Sequence, residues 1–156
     1  MTPNDLISQI INDSQRLTLA IQTGAQWELW MQVEMYIMLF GMPGVTVARE
    51  VPYGATRMTL DFLATDQHGR YAIELKVESA TNAGASVMTQ AMSDVQKIAQ
   101  YVAPDALHLS RYVIAIGYSA PARTALRAAG AAHPAAVAAS AYNEVNSIGV
   151  LIMTLP

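Results

Sequence analysis

Residues 57 to 78 read RMTLDFLATDQHGRYAIELKVE, two alternating runs either side of the turn-like DQHG at residues 66–69. Strand side chains alternate faces, so each run sorts its apolar residues onto one side. Met58, Leu60, Phe62 and Ala64 share a face in the first run, and Tyr71, Ile73, Leu75 and Val77 in the second. A slip of one residue would set one apolar face against the other strand's polar face. Matched faces therefore require cross-strand partners whose numbers sum to an odd value. A loop of two or four residues centred between Gln67 and His68 has that parity. It places Asp61 opposite Glu74, with roughly 5 Å between Cβ atoms. Lys76, two residues beyond Glu74, lies on the same face.

The rest of the chain gives this hairpin a setting. Its 156 residues suit a single domain, residues 1–156, long enough to bury a core. Residues 4–22 read as an amphipathic helix capped by Thr2 or Asn4, with Pro3 near its first turn. Residues 25–40 form a second helix, apolar nearly all round and so expected to be largely buried. A strand over 45–52 precedes the hairpin, and 79–86 is a loop. A helix over about 86–103 ends before Pro104, and 111–118 is a buried strand. An Ala-rich helical region runs from Pro121 to about 142, broken near Gly130 and His133, and 148–154 is the last strand. The order α-α-β-β-β-α-β-α-β predicts an α/β fold, a mixed central sheet flanked by helices.

Composition narrows the function classes. With 53% hydrophobic residues and 13% charged, against about 25% charged in an average domain, the surface is expected to include an apolar interface, and a homodimer follows. The absence of cysteine excludes disulfides and thiolate ligands and fits a reducing, cytoplasmic setting. A formal charge of -3, with only two lysines among nine basic residues, argues against a broad phosphate-tracking surface but leaves room for a small basic cleft. The N-terminus lacks the charged and apolar regions of a signal peptide, and no apolar run is long enough to span a membrane.

Two carboxylates and an amine on one patch of sheet suit metal-assisted hydrolysis of a phosphodiester. Mg²⁺ takes hard oxygen ligands. Asp61 and Glu74 supply carboxylates, and the Leu75 carbonyl, between the two site residues of its strand, adds a third oxygen. Lys76 would orient the attacking water or neutralise charge at the phosphate. The alternative is a cross-strand salt bridge, worth little on a solvated face. Glu34 lies within the apolar stripe of its helix beside Trp27, Trp30, Met31 and Met38. A carboxylate there must join the site or pair with an arginine or hydroxyl. Asp94, Lys97 and Tyr101, spaced i, i+3, i+7, share one flank of the following helix, which would either line the cleft and contact phosphate or face solvent. Arg57 and Arg70 extend the hairpin's polar face toward a phosphate. His68, His108 and His133 form no metal-ligand spacing, and His68 at the hairpin tip is expected in solvent.

Glu34 on an early helix, Asp61 on a strand, Glu74-Leu75-Lys76 on the next and a polar-flanked helix after them resemble the PD-(D/E)xK nuclease superfamily. The resemblance covers residues 25–118 and implies the restriction-endonuclease-like core α-β-β-β-α-β. That family is known for Mg²⁺-dependent cleavage of DNA, less often RNA, and includes restriction enzymes, recombination nucleases, junction resolvases and secreted toxin domains. It implies Asp61 and Glu74 as ligands of Mg²⁺ or Mn²⁺, Lys76 as the catalytic lysine and Glu34 as the helix carboxylate. Leu60 stands where the family name has proline, and Lys97 stands four before Tyr101, where many relatives carry glutamine. The expectation is a Mg²⁺-dependent nuclease acting on nucleic acid, with DNA first. A catalytically silent binding module of the same fold, or a subunit of a larger assembly, is the rival.

Overall fold

The hairpin pairs as the parity argument requires. In the computed structural model, β2 (Thr59–Asp66) and β3 (Gly69–Val77) pair antiparallel through a two-residue loop, Gln67 and His68. Every recorded pair, from Asp66↔Gly69 to Phe62↔Ile73, sums to an odd number. The structure describes all residues except Ala25, Ala55, Ala106 and His133, so the expected role of His133 in a helix break lies outside the described residues. His68 and His108 are both exposed. Gly69 opens β3 at φ 147°, where an added Cβ would stand 2.5 Å from the His108 carbonyl oxygen. Only glycine allows the strand to begin so close to its next neighbour.

The sheet has six strands in the order β1-β2-β3-β4-β6-β5, with β1 (Thr46–Pro52), β4 (Leu109–Gly117), β5 (Ala139–Val145) and β6 (Ile148–Leu155). Only β3 and β4 run parallel; the other neighbours are antiparallel. This parallel pair is joined by α4 (Ser86–Ile98), the long crossover that such pairs need. One face carries α1 (Pro3–Asn12), α2 (Ser14–Gln22) and α3 (Trp27–Phe40), whose apolar side chains meet Phe62, Ile73, Leu75, Val77, Ile114 and Ile116. The other carries α4 and α5 (Ala120–Ala132) over Ala72, Val113, Ala115, Leu151 and Met153. The fold is α/β, a mixed sheet between two helical layers. From α3 through β4 the order is α-β-β-β-α-β, as expected. Among the described residues no helix is long and apolar enough to cross a membrane.

Several expectations need correction. The first helix is two, broken at Asp13, while Thr2 and Asp5 form the capping box that starts α1. The helix over 25–40 is only half buried: Leu29, Val33, Ile37 and Phe40 form an exposed stripe, with Ile37 at 55% and Phe40 at 67% exposure. The region running to 142 ends its helix at Ala132, and residues 139–145 are a strand instead. Leu60 and Met58 do not share the core of Phe62 and Ala64; they pack on the α4 side with Tyr53. The change of face occurs at Asp61. Opposite it, Glu50 holds φ 53° and drops out of the β1–β2 ladder between Arg49↔Phe62 and Val51↔Leu60. The alternation is broken there by a local backbone distortion.

Candidate functional site

The β2–β3 ladder ends at Phe62↔Ile73, one pair short of Asp61 and Glu74. Beyond it the Asp61 carboxylate takes over from the backbone, and the Leu75 N–H donates to Asp61 Oδ2 at 2.7 Å. A strand residue projects its N–H and C=O to the same side. The Leu75 carbonyl therefore also points toward β2 and Asp61. Glu74 and Lys76, one residue either side, point to the α4 face. There the Tyr53 hydroxyl donates to Glu74 Oε1 at 2.7 Å, and Lys97 Nζ donates to Glu74 Oε2 at 2.8 Å. Lys76 Nζ lies 3.4 Å from Asp94 Oδ2. One end of the β2–β3 pair thus gathers Asp61, Glu74, Lys76, Asp94, Lys97 and Tyr53.

Burial sets the charge state of this group. Glu74 is 1% exposed. Burial, and then the Asp61 charge, push its carboxyl up to about 7, against the hydrogen bonds of Lys97 and Tyr53 and the Lys97 charge. Burial also raises Asp94, partly offset by the charges of Lys76 and Lys97. Burial and the hydrogen bond to Glu74 raise the Tyr53 phenol far out of the physiological range, so it remains a donor. Contacts with aromatic rings reinforce the arrangement. Lys97 Nζ sits 5.7 Å from the Tyr53 ring centroid, and Tyr53 meets Tyr101 edge to face at 5.3 Å.

The remaining expected site residues are distributed differently. Glu34 is 6% exposed and bonded to Arg16 at 2.7 Å, in the helical layer opposite α4. Of its two anticipated roles, the structure supplies the pair with an arginine. Tyr101 lies beyond the end of α4 rather than on its flank, and its ring is buried in the α4-side core at 3% exposure. Arg57 is exposed on the loop before β2. Arg70 pairs with Asp105 and lies four residues down β3 from Glu74, about 13 Å at strand rise. Asp94 and Lys97 are half-buried and turned onto the sheet rather than to solvent.

Two residues of consequence were not read from the sequence. Tyr53 reaches Glu74 from the loop after β1; an aromatic beside Gly54, just past a strand, was the available hint. Glu78, one residue past β3, is 1% exposed. Its Oε2 accepts the N–H groups of Tyr118 and Ser119 at 2.8 Å each, and its Oε1 that of Gly84 at 2.7 Å. Burial pushes its carboxyl up, but these hydrogen bonds prevail and hold it below the usual carboxylate range.

The donor set fits a hard divalent cation: two carboxylates and a backbone carbonyl, all oxygen. Among the described residues no three His, Cys, Asp or Glu side chains are grouped to hold a metal. A cation here would rest on Asp61, Glu74, the Leu75 carbonyl and water, a ligand mixture Mg²⁺ accepts. No family model, curated protein or solved structure matches this chain.

Proposed function

We propose that this chain is a Mg²⁺- or Mn²⁺-dependent nuclease with DNA as its substrate. The observation that carries the reading is the Leu75 N–H bond to Asp61 at 2.7 Å. It holds the Asp61 carboxylate against β3 at Leu75, the residue next to Glu74, where the β2–β3 ladder ends. Asp61, Glu74 and the Leu75 carbonyl would hold the cation. When bound, it would supply charge neutralisation at the phosphate and a more acidic water. Lys76, held by Asp94, orients the water for attack on phosphorus or offsets the charge that develops as the P–O bond breaks. Lys97 and Arg57 take phosphate oxygens, and Arg70 does so once it leaves Asp105. Tyr101 acts indirectly, by packing against Tyr53. Glu34 keeps a structural role with Arg16.

Incubation with plasmid and linear DNA in Mg²⁺ or Mn²⁺ tests the reading. Lys76→Ala is expected to lower cleavage by 10²-fold or more, the scale of losing a positioned acid–base or charge-stabilising group. Identical behaviour of wild type and variant on every substrate would remove the site from consideration. A cytoplasmic homodimer belongs to the same reading, supported by the lack of cysteine and by the exposed α3 stripe. Light scattering on the isolated chain decides the second half, and a monomer at micromolar concentration counts against it.

A second reading, a binding module without chemistry, is favoured by one observation. Both Glu74 oxygens are already engaged, by Tyr53 and Lys97. Calorimetric titration with Mn²⁺ separates the two, because the module predicts no binding that depends on Asp61 and Glu74.

A further inference from the structure

The two ammonium groups of the site are not equivalent. Three carboxylates, Asp61, Glu74 and Asp94, face two lysines. Lys76 is held by Asp94, outside the oxygen set of Asp61, Glu74 and the Leu75 carbonyl. Lys97 is held by Glu74, inside it, at 2.8 Å from Oε2. Lys97 also stands in the last turn of α4, where carbonyl ends favour a cation, and over the face of the Tyr53 ring. Tyr53 in turn fixes the other Glu74 oxygen. Glu74 is thus positioned from both sides, and one of those sides carries a positive charge exactly where a second one would have to approach.

We infer that Lys97 is a resident counter-cation, which neutralises Glu74 in the metal-free protein and gives up Oε2 when a divalent cation binds. The inference rests on the nuclease reading above. A buried carboxylate without a partner is costly, and the ammonium meets that cost while the cation is away. Once a dication shares Glu74, the two like charges repel at close range in a poorly hydrated site. Lys97 is half-buried and on a flexible four-carbon stem, so its head can turn toward solvent without moving α4. There it meets the phosphate of an incoming strand. Metal binding and substrate binding are then coupled through one side chain, because the cation frees the ammonium that the phosphate needs.

This assignment makes the two effects of removing Lys97 opposite in sign. Lys97→Met keeps the length and packing of the stem and removes the charge. It is expected to bind Mn²⁺ at least tenfold more tightly than wild type in calorimetric titration of the full chain. At saturating Mn²⁺ it is expected to cleave DNA at least tenfold more slowly. A lysine that only stabilised the fold would weaken both. Lys97→Gln, which retains a hydrogen-bond donor without the charge, serves as the second variant should the first fail to fold, and the same direction is expected. Glu74→Gln is expected to abolish the binding in either background. Equal or weaker Mn²⁺ affinity in the folded Lys97 variant overturns the inference and leaves the metal site standing. Absence of Mn²⁺ binding in wild type and variant alike overturns the metal site itself.

Discussion

At Glu74, burial and charge act against each other. Burial and the Asp61 carboxylate raise its carboxyl to about 7, while Lys97 and Tyr53 favour the ionised form. The sign of the consequence follows from linkage. A carboxyl that holds its proton more tightly folded than unfolded adds stability below its ordinary value of 4.5. That stability is lost as pH rises through about 7. The amount is about 3 kcal/mol at most, from the size of the shift. Urea unfolding of wild type and Glu74→Gln at pH 5 and pH 8 measures it. Wild type is expected to lose stability relative to the variant between the two, and an unchanged difference would refute the assignment. The β2–β3 register was legible in the sequence because it needs only the two-residue period of strands, and its ladder stops one pair short of Asp61 and Glu74. The partners of Glu74 were only partly legible. The i, i+3 spacing of Asp94 and Lys97 put them on one flank, but nothing local decides whether a flank faces sheet or solvent. Tyr53 reaches the site from a loop, where no period operates.

Glu78 does for whole elements what Glu74 does for the site. Its carboxylate joins the end of β3, the loop at Gly84 and the start of α5, where Ser119 supplies the cap. Hydrogen bonds to a charged acceptor are the stronger kind, and a buried N–H left without one costs about 1–3 kcal/mol. Glu78→Ala is expected to destabilise by about 3 kcal/mol or more, lowering Tm by roughly 10 °C for a chain of this size. Because its carboxyl titrates below the ordinary value, this stability is present above pH 4.5 and is lost as pH falls. A calorimetric scan series from pH 7 to pH 3 would show the variant converging on wild type; a constant gap would argue against the clamp. Hairpin and helix existence were readable at this scale, while ends were not. The helix period continues through Val102, yet α4 stops at Ile98, and Tyr101 turns inward to meet Tyr53. β5 hid in an Ala-rich stretch of weak strand propensity. Its one signal was Asn146-Ser147 between alternating runs, both residues at positive φ in the tight turn to β6.

For the molecule as a whole, the distribution of positive charge limits how nucleic acid can be held. Of the nine basic residues, Arg16, Arg70, Lys76, Lys97, Arg123 and Arg127 form ion pairs with carboxylates. Arg111 donates to the carbonyls of Tyr101 and Pro156, and Arg49 donates to Gln32. With Lys76 held by Asp94, the cations left to take phosphate in the proposed reading are Arg57 and, when released from their partners, Lys97 and Arg70. The three-layer frame and the parallel β3–β4 pair were foreseeable from element order and crossover length. This economy of charge was visible only as a scarcity of lysine, because pairing depends on which elements become neighbours. Its consequence is quantitative. Each phosphate neutralised on duplex DNA contributes about -0.9 to the slope of log affinity against log salt. Three contacts give a slope of about -3, well short of that of a broad basic groove. Fluorescence anisotropy with Lys76→Ala, labelled duplex and Mn²⁺ between 50 and 200 mM salt measures it. A slope near -3 that falls by about one unit in the added Arg57→Ala background places the phosphates at this site. A slope of -6 or steeper would put the DNA on some other surface, and the candidate site would lose its substrate.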